Sequence, residues 1–335
     1  MARAASVVAQ AKVNLFLRVL AREAGGHHQL ETLFQRLELG DDVRVRVDVA
    51  GRALDCRGAD VGPTEGNLAW RAALAYADAT GWPEGFAIEV DKHIPTGGGL
   101  GGGSADAGAV LRCLDALAPR PLGAHALLGL AAPLGADVPF LTADAPLALA
   151  WGRGERMLAL PPLPERHAHL ALFDEGVSTA DAFARLAERR AARGERPRPI
   201  VWSLERLARW DDVALVATND FEDVVLPERA DVAAMRQMFG EVGRQLDELG
   251  DSWTDAAEED VPPPAALRED GDSVPIALMS GSGATVFLLT SMADGRVSVD
   301  FRIEAPEEGD ALGTPGLRVV LTRTASRVAA VSRED

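Results

Sequence analysis

Seven consecutive positions, Gly97 to Gly103, hold six glycines around a single Leu100. Glycine gives up more conformational freedom on folding than any other residue, so such a run is wasteful unless backbone must approach something closely. It follows an alternating apolar segment, FAIEVDKHI, which reads as a strand. It precedes an apolar stripe of Ala109, Val110, Cys113, Leu114 and Leu117 at helical spacing. Strand, glycine loop and helix start in that order gather backbone N–H groups and a positive helix end at one point, which suits an anion. Ser104 or Asp106 is placed to cap the helix, and the Ser104 hydroxyl is also placed to meet a phosphate or Mg2+. A G-x-G-x-x-G match at Gly97, Gly99 and Gly102 comes nearly for free in this run, and no acid-bearing strand follows it, as a dinucleotide site requires. No Gly-Lys-Ser/Thr follows either, which excludes a Walker A loop.

The 335 residues carry 34 Lys+Arg against 51 Asp+Glu, a net charge of −17. With 47% hydrophobic residues the chain can build real cores, and its length suggests two domains. An acidic chain without a basic cluster fits neither nucleic acid nor an anionic membrane surface. The absence of an eighteen-residue apolar run and of a signal-peptide pattern, with only Cys56 and Cys113, leads to a cytoplasmic expectation. Cys113, in AVLRCLDAL, reads as a small buried hydrophobe. Only two of the 34 basic residues are lysine, Lys12 and Lys92, and only Asn14, Asn67 and Asn219 are asparagine. Lysines that persist in an arginine-rich chain are candidates for work a guanidinium does not do. Lys12 and Asn14 stand two apart in an apolar strand and project from the same face.

Apolar patterning predicts strands at 5–20, 30–38, 43–49, 86–92, 168–173, 275–279, 284–290 and 316–323. Helices are expected at 67–79, 104–117, 124–131, 179–191, 203–209 and 228–239, with Asn67 able to cap the first of them. A Gly/Pro-punctuated stretch at 150–165 reads as a crossing between domains, dividing the chain into 1–155 and 156–335. Residues 241–275 hold eleven acids and two arginines, with Pro262, Pro263 and Pro264 in succession, and read as a solvated insertion. Neither His27/His28 nor His167/His169 is joined by a third ligand at a known spacing, so no resident metal site is expected.

Eight segments, in order, resemble the GHMP kinases: AKVNLFLRVL (11–20), GHHQLET (26–32), EGNLAWRAA (65–73), DKHIPTGGGLGGGSADAG (91–108), GADVPF (135–140), GVSTADAF (176–183), NDFEDVVL (219–226) and MSGSG (279–283). The likeness is greatest to the branch that phosphorylates a cytidine-diphosphate-linked methylerythritol for isoprenoid synthesis. It implies a two-domain α+β fold, with an N-terminal α/β domain of ribosomal-protein type, a C-terminal ferredoxin-like α+β domain and a cleft between them. It implies phosphoryl transfer from ATP with Mg2+, which needs positioning, charge neutralisation and a proton acceptor. By this resemblance Asp137 is the base, on backbone held extended before a proline, and Lys12 is its partner. The nucleotide side would comprise Lys92, Pro95, Gly97, Gly98, Gly99, Leu100, Gly101, Gly102, Gly103, Ser104 and Asn67. The cytidyl-diphosphate substrate would meet Asn14, His27, His28, Thr179 and Phe183, with His27 where the resembled kinases carry tyrosine. The MSGSG turn would pack near phosphates or substrate. A monomer or homodimer is expected. A kinase of another small alcohol (mevalonate- or homoserine-like) and a non-catalytic ATP-binding protein of the same fold are the alternatives.

Overall fold

The computed structural model describes residues 3–23, 28–197, 203–255, 274–291 and 316–334. Two long strands, β1 (Ala4–Arg22) and β2 (His28–Val47), pair antiparallel and form the spine. The segments expected as separate strands at 30–38 and 43–49 are thus one element, with a register shift opposite Gln10 and Lys12. Both strands are buried on both faces over much of their length, which explains apolar runs in place of strict alternation.

After β3 (Arg52–Arg57), helix α1 (Leu68–Thr80) starts at Asn67, whose side chain accepts a 2.9 Å bond from Ala69 N–H. It ends at Gly81, at φ 70°, whose N–H bonds Ala77 O. Strand β4 (Phe86–Asp91) then leads through the glycine loop into α2 (Gly102–Leu117). Helix α2 buries Val110, Leu111, Leu114 and Leu117 against the spine, each contributing roughly 1.5–3 kcal/mol relative to exposure. Next come α3 (Ala124–Ala131), α4 (Val138–Thr142) and a hairpin, β5 (Leu147–Gly152) with β6 (Arg156–Leu160). This hairpin occupies most of the stretch expected as a domain crossing. Its β5 pairs with β2 along Leu30–Gln35, so turn residues there punctuate a sheet rather than a linker.

The rest of the chain runs β7 (Arg166–Phe173), α5 (Thr179–Arg193), α6 (Trp210–Val216), β8 (Thr218–Asn219), α7 (Glu222–Val225), α8 (Ala230–Asp255), β9 (Ile276–Met279), β10 (Val286–Ser291), β11 (Leu317–Arg323) and β12 (Ser332–Glu334). The helix expected at 203–209 is a single 3-10 turn, Arg206–Ala208. Regular helix begins only at Trp210, whose indole N–H bonds Pro164 O at 2.8 Å. Helix α8 runs well past the expected end at 239 and packs Val242 and Gly243 against the second core. The start of the expected acidic insertion is therefore a packed helix, and 256–273 lie outside the described residues.

Among the described residues the first sheet runs β12-β1-β2-β4-β3, with β5 and β6 added at β2 and β8 at β1. The second is antiparallel, β11-β7-β10-β9. The first core lies mainly between the first sheet and α1–α4; the second fills the space among α5, α7, α8 and the second sheet.

Candidate active site

Lys12 is 2% exposed, and its buried ammonium has both an amide and a carboxylate partner. Nζ donates to Asn14 Oδ1 at 2.7 Å and lies 3.4 Å from Asp137 Oδ2. The expected common face of Lys12 and Asn14 is therefore a direct contact. Asn14 Nδ2 donates to Thr32 Oγ1 at 2.8 Å, and its Oδ1 also accepts Gly281 N–H at 3.1 Å. The Lys12 main-chain N–H donates to Leu100 O at 3.0 Å, so the strand is bonded to the glycine loop at this residue.

Asp137 is not extended as the sequence suggested: its φ of −86° and ψ of −19° are helical. Val138, not Asp137, precedes Pro139, and the proline sits in the first turn of α4, where no N–H is required. Asp137 occupies the N-cap position of α4 but makes no capping bond; its side chain stays 29% exposed and faces Lys12.

In the glycine loop Gly97, Gly99 and Gly101 take φ of 75°, 79° and 75°, a region that side chains with a Cβ avoid. Gly101 is the N-cap of α2 and no side chain caps the helix, so the expected capping by Ser104 or Asp106 does not occur. The first-turn N–H groups lack a side-chain partner there, which is how an anion site at a helix start is built. The MSGSG turn interlocks with this loop. Ser280 Oγ donates to Gly99 O at 2.9 Å, and Thr285 N–H to Gly98 O at 3.3 Å. A Cβ on Gly283 would stand 2.5 Å from Gly98 C and Gly99 N.

Lys92 points beneath the loop, its Nζ bonded to Asp41 Oδ2 and, at 2.7 Å, to Asp106 Oδ2. Asp41 Oδ1 in turn accepts the N–H groups of His93 and Ile94 at 2.6 and 2.7 Å, so the carboxylate fixes the path into the loop. Burial opposes the Lys92 charge, but the two carboxylates outweigh it and raise its pKa. Burial pushes Asp106 up to about 7 against the pull of Lys92, with Asp41 adding repulsion.

On the other side, the His28 and Phe183 rings stack at 4.2 Å and 12°, and Thr179 Oγ1 lies 2.7 Å from Ser282 Oγ. Asn219 Nδ2 donates to Met279 O and Gly281 O, both at 2.7 Å, which pins the turn to the first sheet. Asn67 spends its Oδ1 on the α1 cap. His27 lies outside the described residues. Sequence reasoning missed Asp41, Thr32 and Arg36. Asp41 had a signal, since a scarce lysine heading into a buried loop needs an acid; the other two had none.

With this geometry in place, comparison with known proteins defines the class: residues 67–144 match the GHMP kinases N terminal domain. A 4-diphosphocytidyl-2-C-methyl-D-erythritol kinase of Anaeromyxobacter sp. (strain K) is 34% identical over 97% of this chain and 92% of the relative. One of Pelobacter propionicus is 32% identical over 86% and 90%. A crystal structure of 4-(cytidine 5'-diphospho)-2C-methyl-D-erythritol kinase superimposes with a TM-score of 0.60 at 29% identity, over 96% of this chain and 99% of that one. The chain belongs to the 4-diphosphocytidyl-2-C-methyl-D-erythritol kinase family of GHMP kinases. The expected two-domain α+β class holds, and the fold is that of an ATP-using small-molecule kinase. Among the described residues no helix is long and apolar enough to cross a membrane.

Proposed function

We propose that this chain transfers the γ-phosphoryl group of ATP to the 2-hydroxyl of 4-diphosphocytidyl-2-C-methyl-D-erythritol, with Asp137 as the proton acceptor. The observation that carries the reading is Lys12. One buried lysine is bonded through its main chain to the glycine loop and through its side chain lies 3.4 Å from Asp137, joining phosphate cradle and base.

The loop fits a polyphosphate. The start of α2 has no side-chain cap, and a Cβ on Gly97 or Gly103 would meet nothing nearer than 3.7 or 3.8 Å. Gly97 to Ser104 would hold the phosphates through backbone N–H groups, with the Ser104 hydroxyl the loop's side-chain oxygen for Mg2+. Bound together, ATP and Mg2+ supply the phosphoryl group and neutralise charge on its oxygens. Asp137 takes the hydroxyl proton, while Lys12 fixes the carboxylate and sets a positive charge where negative charge builds on the attacking oxygen. Asn14 holds Lys12 on that line. Cytosine takes over the Phe183 face that His28 covers, with Thr179 and, by its sequence position alone, His27 as further contacts. Lys92 and Asn67 act on the nucleotide side by shaping the loop and α1. The same reading keeps the division near residue 155, with strands 156–160 and 332–334 paired into the first sheet. It makes the protein a cytoplasmic monomer or homodimer.

The test is turnover of the cytidyl substrate with ATP by wild type and Asp137→Asn. Loss of about 10²–10⁴-fold in kcat is expected in the variant. Near-wild-type turnover would remove Asp137 from its role, and no turnover by folded wild type would sink the substrate assignment.

A further inference from the structure

Arg36 is 1% exposed on β2 and is the register partner of Lys12 across the β1–β2 pair. Its guanidinium has no salt bridge among the described residues. Instead Nε donates to Ala145 O at 3.0 Å, and Nη2 to Phe140 O at 2.8 Å and Ala143 O at 2.9 Å. It also lies over the Phe140 ring, 5.0 Å from the centroid. Phe140 is the middle residue of α4, Ala143 its C-cap and Ala145 lies in the turn beyond, while Asp137 stands at the start of that same helix. Between the two ends, Phe34 stacks on Phe140 at 4.8 Å and 13°. One face of two paired strands thus presents Lys12 to the front of α4, Phe34 to its middle and Arg36 to its rear.

A guanidinium buried without a carboxylate is a costly way to fill space, since an apolar side chain of similar volume packs there without losing hydration. Burial and the nearby Arg112 both pull its pKa down, and Asp144 offsets this only in part. What the cation supplies, and an apolar residue does not, is three directed charge-assisted bonds that fix one helix end in position and rotation. We infer that Arg36 is a positioning residue for phosphoryl transfer: by gripping the carbonyls of Phe140, Ala143 and Ala145 it sets the place of α4, and so the approach of Asp137 to Lys12 and the substrate hydroxyl. This rests on the reading of Asp137 as proton acceptor.

The experiment compares Arg36→Met, Arg36→Lys and Asp137→Asn with wild type, measuring kcat and KM for ATP and cytidyl substrate per folded molecule across pH. Arg36→Met is expected to lose between about 10-fold and 100-fold in kcat, the scale of a small misplacement of a reacting group, with ATP KM within about twofold. Arg36→Lys, which keeps the charge and part of the donor set, is expected to recover a portion of that loss. The acidic limb of the kcat profile is expected to move in the Met variant, because the environment of Asp137 changes. A purely structural role would scale the amount of active enzyme and leave that limb in place. Should the Met variant not fold, the Lys variant decides by the same limb and kcat. Unchanged kcat and limb in the folded Arg36 variants, with Asp137→Asn inactive, would overturn the positioning role alone. Full turnover by Asp137→Asn would instead overturn the reading beneath it.

Discussion

The contact between the glycine loop and the MSGSG turn is made of main chain, and Gly283→Ala tests it. The new Cβ would sit 2.5 Å from Gly98 C and Gly99 N and 2.9 Å from Gly97 O, where ordinary contact begins near 3.4 Å. Gly283 is not at positive φ, so the cost is steric rather than conformational. The neighbours are backbone and cannot rotate aside, so the two segments must separate by about 1 Å, an overpacking cost of roughly 1–3 kcal/mol. Separation also strains the bonds from Ser280 Oγ to Gly99 O and from Thr285 N–H to Gly98 O, each worth about 0.5–1.5 kcal/mol. Restricting the unfolded chain returns about 0.4–1 kcal/mol. The expected net loss is about 2–4 kcal/mol, read as a lower urea midpoint at unchanged slope, together with a raised KM for ATP because the phosphate cradle moves. Gly103→Ala is the control. Its Cβ meets only Leu68 Cδ1, at 3.8 Å, inside the first turn of α2, so stability should hold or rise slightly. Wild-type stability and ATP KM in Gly283→Ala would refute the interlock.

Three further outcomes are expected. Lys92→Met strips the cation from two buried carboxylates and should cost on the order of 3–5 kcal/mol in urea unfolding; a change confined to ATP KM would instead make Lys92 a nucleotide contact only. Asp106 is raised from 3.8 to about 7, so the folded state holds a proton that the unfolded chain releases, and this contribution to stability declines as pH rises from about 4 to 7. Asp106→Asn should flatten that part of the stability profile, and an unchanged slope would count against the buried-carboxyl account. Phe183→Ala removes a ring worth roughly 0.5–1.5 kcal/mol in stacking; KM for the cytidyl substrate should rise severalfold with ATP KM unmoved, and equal effects on both would place Phe183 in the core rather than the substrate site.

What the sequence made legible follows from how local each signal is. Lys12 and Asn14 could be placed on one face because strand side chains alternate with a period of two, and the Asn67 cap needs only the two residues after it. Asp106 was misjudged because an acid near a helix start resembles a cap; its real partners, Lys92 and Asp41, lie 14 and 65 positions earlier. Asp137 was expected to be extended because of the nearby proline, whereas the proline belongs to a helical turn. The β5–β6 hairpin looked like a linker because its turn residues are conspicuous and its pairing with β2 is not visible locally. Arg36 left no trace, since its three acceptors are backbone carbonyls over one hundred positions away.

The strand β12 lies beside β1, with Ala4 opposite Glu334 and Ser6 opposite Ser332. On a ribosome the two are separated by roughly 330 positions, or about 15–65 s of synthesis at ordinary elongation rates. Throughout that interval the outer edge of β1 offers unpaired N–H and C=O groups to any other nascent chain. Closure of that edge therefore waits until β12 has been made, long after β1 has left the ribosome. Removing only Ser332–Glu334 should leave the candidate active site intact while increasing losses to aggregation during expression.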